Sequence, residues 1–487
     1  MLNLVKSNIE QKLKRYFEDE IIYKDLKNSN FLSSLNLPSF IRDWLLKAAE
    51  DSEGNINTNI AEQYKALIPK KEDSNKIISS LTEGNYVDIV TKLSIRIDIA
   101  TREKSFAIPE LNLKYGDTTI PSNVWDKYKD NFFDDLETWG RITLGYRMTD
   151  DKKGGKNIGK ISLEKFEPFC PYTIDPEYYK SARAKFTIQE WIDILLGAID
   201  YNADGFENET QKMTMLSRLL PFVEKKINLI ELAPKGTGKS YVFGRISRFG
   251  WICSGGNLTR AKMFYDISRN SFGFACHNDY VAIDEAQTIS FGTGSDEMRG
   301  ILKSYMEQGT FNVGNKEGSA DSGIILLGNI EQSYMNIYKN MLQGISAFYE
   351  SALIDRFHGF IEGWHIPRMN DDMKMIGWAL NSEYFAYILH KLRDEIQYRN
   401  IVDRLVICPQ KADTRDTEAV KRLATAYLKL FFPNVREPKD ISVKDFRKYC
   451  LNPAKKMRSV IKVQLGIMDE EFRGKDIPNF DVVEDEE

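Results

Sequence analysis

The octet Ala233-Pro-Lys-Gly-Thr-Gly-Lys-Ser240 ends in a lysine and a hydroxyl after two closely spaced glycines, a combination suited to holding phosphate. Gly236 and Gly238 let successive backbone N–H groups turn inward around a β-phosphate, with the next helix N-terminus adding positive dipole. Lys239 is expected to reach the β- and γ-phosphates and Ser240 to offer its hydroxyl to Mg2+. Pro234, Lys235 and Thr237 complete the expected nucleotide-binding loop, and Ala233 stands where the pattern has glycine, a position that asks only for small size. Downstream, Val281-Ala-Ile-Asp-Glu285 is an apolar run closed by two acids. Asp284 would hold the water shell of Mg2+, and Glu285 would orient and deprotonate an attacking water. Two acids after a strand can also cap a helix. The phosphate loop upstream favours the metal and water chemistry, so the expected ligands are ATP and Mg2+ and the expected reaction is ATP hydrolysis.

These residues need a strand before the loop and a helix after it. The run Ile227-Asn-Leu-Ile-Glu-Leu232 supplies the strand, and helical patterns at Ile188 to Ile199 and Met213 to Glu224 precede it. Tyr280 to Asp284 and Gly323 to Gly328 read as further buried parallel strands, which makes the expected core α/β. Upstream the chain shows an opening helix, a polar middle and a β-rich stretch. Lys92 to Ile99 alternates with Leu93, Ile95, Ile97 and Ile99 on one face, and Trp139 to Arg147 and Lys160 to Phe166 read as two more strands. Between those two lies a glycine-rich loop with Lys152, Lys153, Lys156 and Lys160. A mixed α+β N-terminal domain with a small β-barrel or sheet and a basic loop is the expectation. After about residue 370 the pattern is mostly helical. The expected division is 1–185 N-terminal, 186–370 ATPase core, 371–475 helical lid and 476–487 acidic tail.

Composition narrows the classes. At 487 residues the chain is long enough for two or three cores, and apolar and charged fractions of 42% and 28% are those of a folded protein. No run approaches the ~20 apolar residues that span a bilayer, and the first residues do not form a secretory signal, so a cytoplasmic location is expected. Five cysteines lie far apart without a CxxC pair, which argues against zinc and disulfide frameworks. The net charge of −4 excludes a uniformly basic coat and leaves room for a local basic lining.

Beyond the loop and the acid pair, the motif order resembles AAA+ proteins. By that resemblance Asn329, which closes Ile324-Ile-Leu-Leu-Gly-Asn329, is sensor 1, although a strand-end asparagine is also an ordinary turn residue. Gly309 to Gly318 resembles the hairpin that projects into the pore of helicase-type rings, with Lys316 near its tip. Leu353-Ile-Asp-Arg-Phe357 resembles the arginine-finger segment of minichromosome-maintenance proteins and nominates Arg356. Thr414-Arg-Asp-Thr-Glu-Ala419 would open the lid helix carrying sensor 2, with Arg415 chosen and Arg422 its competitor. No convincing aromatic pore loop of the kind polypeptide-threading machines present lies between Ser240 and Asp284; Trp251 and Phe264 are expected in the core.

Several segments together resemble the BrxL family, the Lon-like AAA+ proteins of the bacterial BREX phage-defence system. They are Phe186 to Leu195, Leu219 to Glu224, Glu231 to Tyr241, Ser254-Gly-Gly-Asn257, Asp284-Glu285, Asp355-Arg-Phe-His-Gly359 and Leu428 to Pro433. The likeness runs from roughly residue 20 to 472. It implies a homo-oligomeric ring, expected to be a hexamer, that binds double-stranded DNA as a motor or clamp, with other BREX proteins as partners and no membrane. A protein remodeller and a nucleotide-gated assembly scaffold are the alternatives. BrxL proteins carry a C-terminal Lon-protease-like domain, for which this chain leaves no room after the lid, so ATPase without protease activity is expected.

Overall fold

The computed structural model describes residues 2–27, 37–49, 57–133, 138–150, 157–169, 174–292 and 294–483. Backbone contacts divide the chain into one unit of residues 1–30, 38–40 and 174–487 and another of 31–37 and 41–173. This differs from a single N-terminal domain of 1–185. Strand β1 (Ile21–Asp25) pairs antiparallel with β16 (Ile376–Leu380), with Ile21 opposite Leu380. The fully buried Lys24 on it forms an ion pair of 2.8 Å with Asp200, so the opening segment is held by residues far along the chain.

The smaller unit contains β2 (Val87–Ile97), β3 (Lys104–Ala107), β4 (Thr118–Thr119), β5 (Thr138–Asp150) and β6 (Asn157–Pro168). They lie in the order β3-β2-β5-β6-β4, antiparallel except for β4 beside β6. The two edges meet: the Ile120 N–H donates to the Lys104 carbonyl at 2.8 Å and the Phe106 N–H to the Thr118 hydroxyl at 2.9 Å. Inside are Leu93, Phe106, Ile142, Leu144 and Leu163, closed over by Trp125 and Phe132 of the helix Ser122–Phe133. The alternation read at 92–99 buries Leu93 but leaves Ile97 at 42% and Ile99 at 93% exposure. Pairing with β5 ends at Leu93, Ser94 to Ile97 pair with β3 instead, and Ile99 lies past the end of the strand.

In the larger unit β7 (Leu229–Ala233), β8 (Gly250–Asn257), β11 (Tyr280–Ser290), β14 (Gly323–Asn329) and β15 (Gly359–Glu362) form one all-parallel sheet in the order β15-β7-β14-β11-β8. Every residue of β7 is buried, as a strand covered on both faces requires. The strand expected to stop at Asp284 continues to Ser290, with an irregular register between Asp284 and Ile289. Two small antiparallel pairs accompany the sheet, β9 (Tyr265–Asp266) with β10 (Ser271–Phe272) and β12 (Thr310–Val313) with β13 (Lys316–Ser319). Phe264 is buried as expected; Trp251 is 40% exposed and stacks on Phe274.

Past residue 380 come the helices Ser382–Leu392, Gln397–Leu405, Thr414–Phe431 and Asn452–Met468. Buried Arg458 joins two of them to the approach of β15, donating to Asp416 at 2.8 Å, to the Asp355 carboxylate at 2.6 Å and to the Phe357 carbonyl at 2.7 Å. Within the segment expected as an acidic tail, β18 (Asp481–Val482) pairs with β17 (Val406–Ile407), and Phe480 and Val482 are buried. No helix among the described residues is long and apolar enough to cross a membrane.

His358, just before β15, accepts a hydrogen bond from the Asn228 N–H at 2.9 Å, and burial first, then Arg422, pushes its pKa from 6.5 down to about 3. The folded chain keeps this imidazole neutral while the unfolded chain protonates it near its ordinary value. The contribution is therefore complete above pH 6.5 and is lost as pH falls towards about 3. One proton of difference gives a slope of about 1.4 kcal/mol per pH unit. Denaturant titrations between about pH 6 and 5 should show His358→Asn losing less stability per unit than the parent, by close to that slope.

Candidate functional site

The chain leaves the sheet at Ala233 and turns through the loop before the helix Lys239–Arg245 begins. Gly236 and Gly238 have φ of +81° and +76°, a region side chains disfavour. At Gly238 space forbids a side chain as well, since a Cβ would lie 2.2 Å from the Tyr201 hydroxyl. That hydroxyl is buried and makes no hydrogen bond among the described residues. Beneath the loop, fully buried Arg218 pairs with Glu231 of β7 at 2.6 Å and donates to the Thr237 carbonyl at 2.8 Å. This pair went unread in the sequence. Its signal was Glu231 itself, a charge inside an apolar strand that has to have a partner.

Lys239 Nζ lies 3.2 Å from the Ala233 carbonyl, 3.1 Å from that of Pro234 and 3.2 Å from Asn329 Oδ1. Burial holds its pKa below the usual lysine range, against the pull of Glu231. The Ser240 hydroxyl donates to Asp284 Oδ2 at 2.5 Å. Glu285 is exposed with φ of +51°, its N–H donating to Asp284 Oδ1 at 2.9 Å and its carbonyl accepting from the Thr288 hydroxyl at 2.9 Å. Gln287, which sequence reasoning passed over, donates to the Asn329 carbonyl at 2.6 Å and links β11 to β14. Lys239, Ser240, Asp284, Glu285 and Asn329 thus come together where β7 and β14 end and β11 breaks its register after Asp284, on the side at which open parallel sheets hold ligands. Ser240 and Asp284 present adjacent hard oxygens that fit Mg2+.

The arginines lie elsewhere. Gly359, the first residue of β15, is level with Leu229, the first of β7, whereas the loop follows the last. Arg356 therefore sits at the opposite edge of the sheet, a five-residue strand or roughly 16 Å away. Its guanidinium pairs with Glu307 at 2.5 Å and donates to the Ala352 carbonyl. Arg415 joins the same group, at 2.8 Å from Asp355 and 3.3 Å from Glu307. Burial raises the pKa of Glu307, but Arg356 and Arg415 outweigh it and leave the carboxyl below its usual range. Arg422 pairs with Glu418 at 2.5 Å and donates to the Lys225 carbonyl, which also precedes β7. Neither Arg415 nor Arg422 reaches the phosphate loop of its own chain.

Among the lysines, Lys316 is exposed at the start of β13, its ammonium 5.5 Å from the Tyr265 ring centre and 5.4 Å from that of Phe272. Lys160 is on β6 with its ammonium 3.0 Å from Glu103, leaving 12% of the side chain exposed. Lys152, Lys153 and Lys156 lie outside the described residues.

Most of the chain is similar to known proteins. Residues 161–477 match the family model described as "Lon-like protease BrxL-like, ATPase domain". Residues 15–146 match that of the BREX system Lon protease-like protein BrxL N-terminal region. The chain is 28% identical over 473 residues to the Lon-like protease BrxL of Escherichia coli O9:H4 (strain HS), covering 94% of this chain and 65% of that protein. It is 26% identical over 462 residues to the Lon-like protease BrxL of Bacillus cereus (strain H3081.97), covering 93% and 66%. An uncharacterized protein 440 of Sulfolobus islandicus rod-shaped virus 1 is 25% identical over 174 residues, 34% of this chain and 39% of that one. The chain thus spans less than two thirds of the length of either BrxL relative. With an α/β architecture that fits an AAA+-like core and family models matched along most of its length, the chain belongs to the BrxL family.

Proposed function

We propose that this chain is an ATPase that works as a homo-oligomeric ring, a hexamer in our reading, on double-stranded DNA in BREX-type phage defence in the cytoplasm. The observation that carries the ATPase part is the junction of Ser240 with Asp284 and of Lys239 with Asn329 beside one glycine loop. The loop N–H groups and Lys239 bind the phosphates. Ser240 and Asp284 hold Mg2+, which when bound neutralises charge on the phosphate oxygens. Asn329 orients the water and Glu285 takes its proton. Among the described residues Lys239 has only carbonyl oxygens and an amide oxygen as partners, so it turns to a phosphate without breaking an ion pair to any of them.

The two ends of the sheet favour ring assembly. Because Arg356 and Arg415 stand at the edge away from their own loop, they serve as finger and sensor 2 for the site of a neighbouring subunit. The guanidinium fork suits that task because it meets phosphate oxygens with two parallel bonds. DNA binding is supported by exposed Lys316 beside its aromatic pair and by the basic segment with Lys152, Lys153 and Lys156, whereas Lys160 is taken up by Glu103. Contacts of that kind go to the phosphate backbone and carry no base code. BREX proteins related to BrxL are its natural partners.

Lys239→Ala should abolish tight Mg-ATP binding, whereas Glu285→Gln should bind ATP normally and cut steady-state hydrolysis by about 10²-fold or more. Parental turnover by Glu285→Gln at saturating Mg-ATP would remove Glu285 from the mechanism. Specific activity should rise steeply with protein concentration, and mixing Arg356→Ala with Lys239→Ala subunits should recover turnover neither shows alone. Mixed rings that form and stay inactive would rule out the shared site. Finally, Lys316→Ala should weaken duplex binding uniformly across sequences, and the slope of log affinity against log salt should fall by about 0.9 for each phosphate no longer neutralised. Fluorescence anisotropy at several salt concentrations measures both.

A further inference from the structure

Resting on the ATPase reading, a second question concerns which cation other than Lys239 meets the nucleotide within a single chain, since Arg415 and Arg422 are turned to the other edge of the sheet. The segment after β15 answers it. At Gly363 a Cβ would lie 2.4 Å from that of Ala233 and 2.8 Å from Glu231 Oε1, so the chain passes directly over the root of the phosphate loop. It buries Ile366, and the Met369 N–H then donates to the Gly236 carbonyl at 2.8 Å, a direct bond to the loop. Beyond, Asn370 caps the next turn through the Asp372 and Met373 N–H groups at 2.9 and 3.2 Å. The Met373 carbonyl accepts from the Asn202 N–H at 2.9 Å. The segment is therefore anchored on both sides of Arg368, the residue before the amide that bonds to the loop.

Arg368 is exposed and makes no hydrogen bond or ion pair among the described residues. Its neighbours in sequence are fixed while its own guanidinium has nothing to hold. Successive Cα atoms are about 3.8 Å apart, so this arginine starts closer to the loop than its own side chain is long. We propose that Arg368 contacts the phosphates of the nucleotide bound by the loop of the same chain. Phosphate is the fitting ligand because a planar, permanently charged fork meets two of its oxygens at once, with a geometry a lysine cannot copy. Met369 meets the loop through its backbone amide, so substitutions at 368 leave the loop bond in place.

The test measures affinity in the full chain, by calorimetry with Mg-ATP, Mg-ADP and Mg-GTP, for the parent, Arg368→Ala, Arg368→Lys and Lys239→Ala. Loss of a charge-assisted contact should weaken Arg368→Ala about tenfold to a hundredfold for all three nucleotides. Arg368→Lys should recover part of that loss, and the nucleotide-free melting temperature should match the parent's. Unchanged affinity in Arg368→Ala would overturn the assignment while leaving the ATPase reading intact. A loss confined to ATP and ADP with GTP spared would overturn it too, by moving the contact to the base. So would a lowered melting temperature without recovery in Arg368→Lys, which would make the residue structural. A parent chain that binds none of the three would remove this proposal and the ATPase reading together.

Discussion

The site depends on a pair of buried charges. Arg218 and Glu231 are both fully shielded from water, a placement that costs several kcal/mol per ion and persists only where geometry and further hydrogen bonds compensate. Here they do. Arg218 meets both oxygens of Glu231 and directs another N–H to the Thr237 carbonyl. A strand residue thus fixes the backbone of the loop that follows the strand. With the Thr237 carbonyl held below, the loop can keep Gly236 and Gly238 in their left-handed conformations. Replacing either member of the pair would leave the other charge buried and unpartnered, and the loop would lose its floor before any residue facing a nucleotide had changed.

The polarity of a parallel sheet then decides what one chain can and cannot do. Everything that follows a strand gathers at one edge, and this is where Lys239, Ser240, Asp284, Glu285 and Asn329 meet. Everything that precedes a strand gathers at the other, which is where Asp355, Arg356 and His358 lie, with Glu307, Arg415 and Arg458 packed around them. No side-chain rotation carries an arginine across the length of β7. The carboxylates at the second edge keep both exposed-edge arginines oriented: Glu307 faces the two at once, and Asp355 is shared between Arg415 and buried Arg458. The helical segments past residue 380 are fastened at this edge by the same charges, since Arg458, which meets Asp355 and the Phe357 carbonyl before β15, also joins Lys462 in meeting Asp416 on the helix Thr414–Phe431.

How much of this was legible in the sequence follows from how local each signal is. The loop, its strand and its helix are contiguous, and their periodicity and glycines sufficed. The acid pair and Asn329 could be ordered because each ends an apolar strand. The hairpin around Lys316 was readable from its glycines, and β12 and β13 pair as that spacing suggests. Long-range pairings were not legible. Nothing local in Ile21–Asp25 announces a partner at Ile376–Leu380, so the first residues fall in a different unit from the one expected. Arg415 begins its helix as expected, but which edge that helix faces is a tertiary property, and sequence order alone cannot distinguish a lid over the loop from a brace at the far edge. Gln287 and Arg218 were missed because their partners, the Asn329 carbonyl for one and Glu231 with the Thr237 carbonyl for the other, are set by tertiary packing and not by local pattern.

The backbone at Glu285 explains how two adjacent acids come to have separate tasks. In a regular strand successive side chains point to opposite faces, and a buried face would strand one of the two carboxylates in apolar surroundings. Instead the strand breaks register after Asp284, and Glu285 takes a positive φ that a non-glycine residue adopts at a cost of order 1–3 kcal/mol. The cost is offset locally: the Glu285 N–H bonds to the carboxylate of Asp284 and its carbonyl accepts from Thr288. The same bond points Asp284 towards Ser240 and leaves Glu285 in solvent. Gly255 on β8 also has a positive φ, and its Cα hydrogen faces this kink, where a Cβ would lie 3.0 Å from Thr288 and 3.5 Å from the Glu285 carboxylate. The residue that would hold a cation and the residue that would handle a proton are thus separated by one peptide unit and by a change of direction. Neighbouring strands are shaped to allow that change, which a regular strand end would not provide.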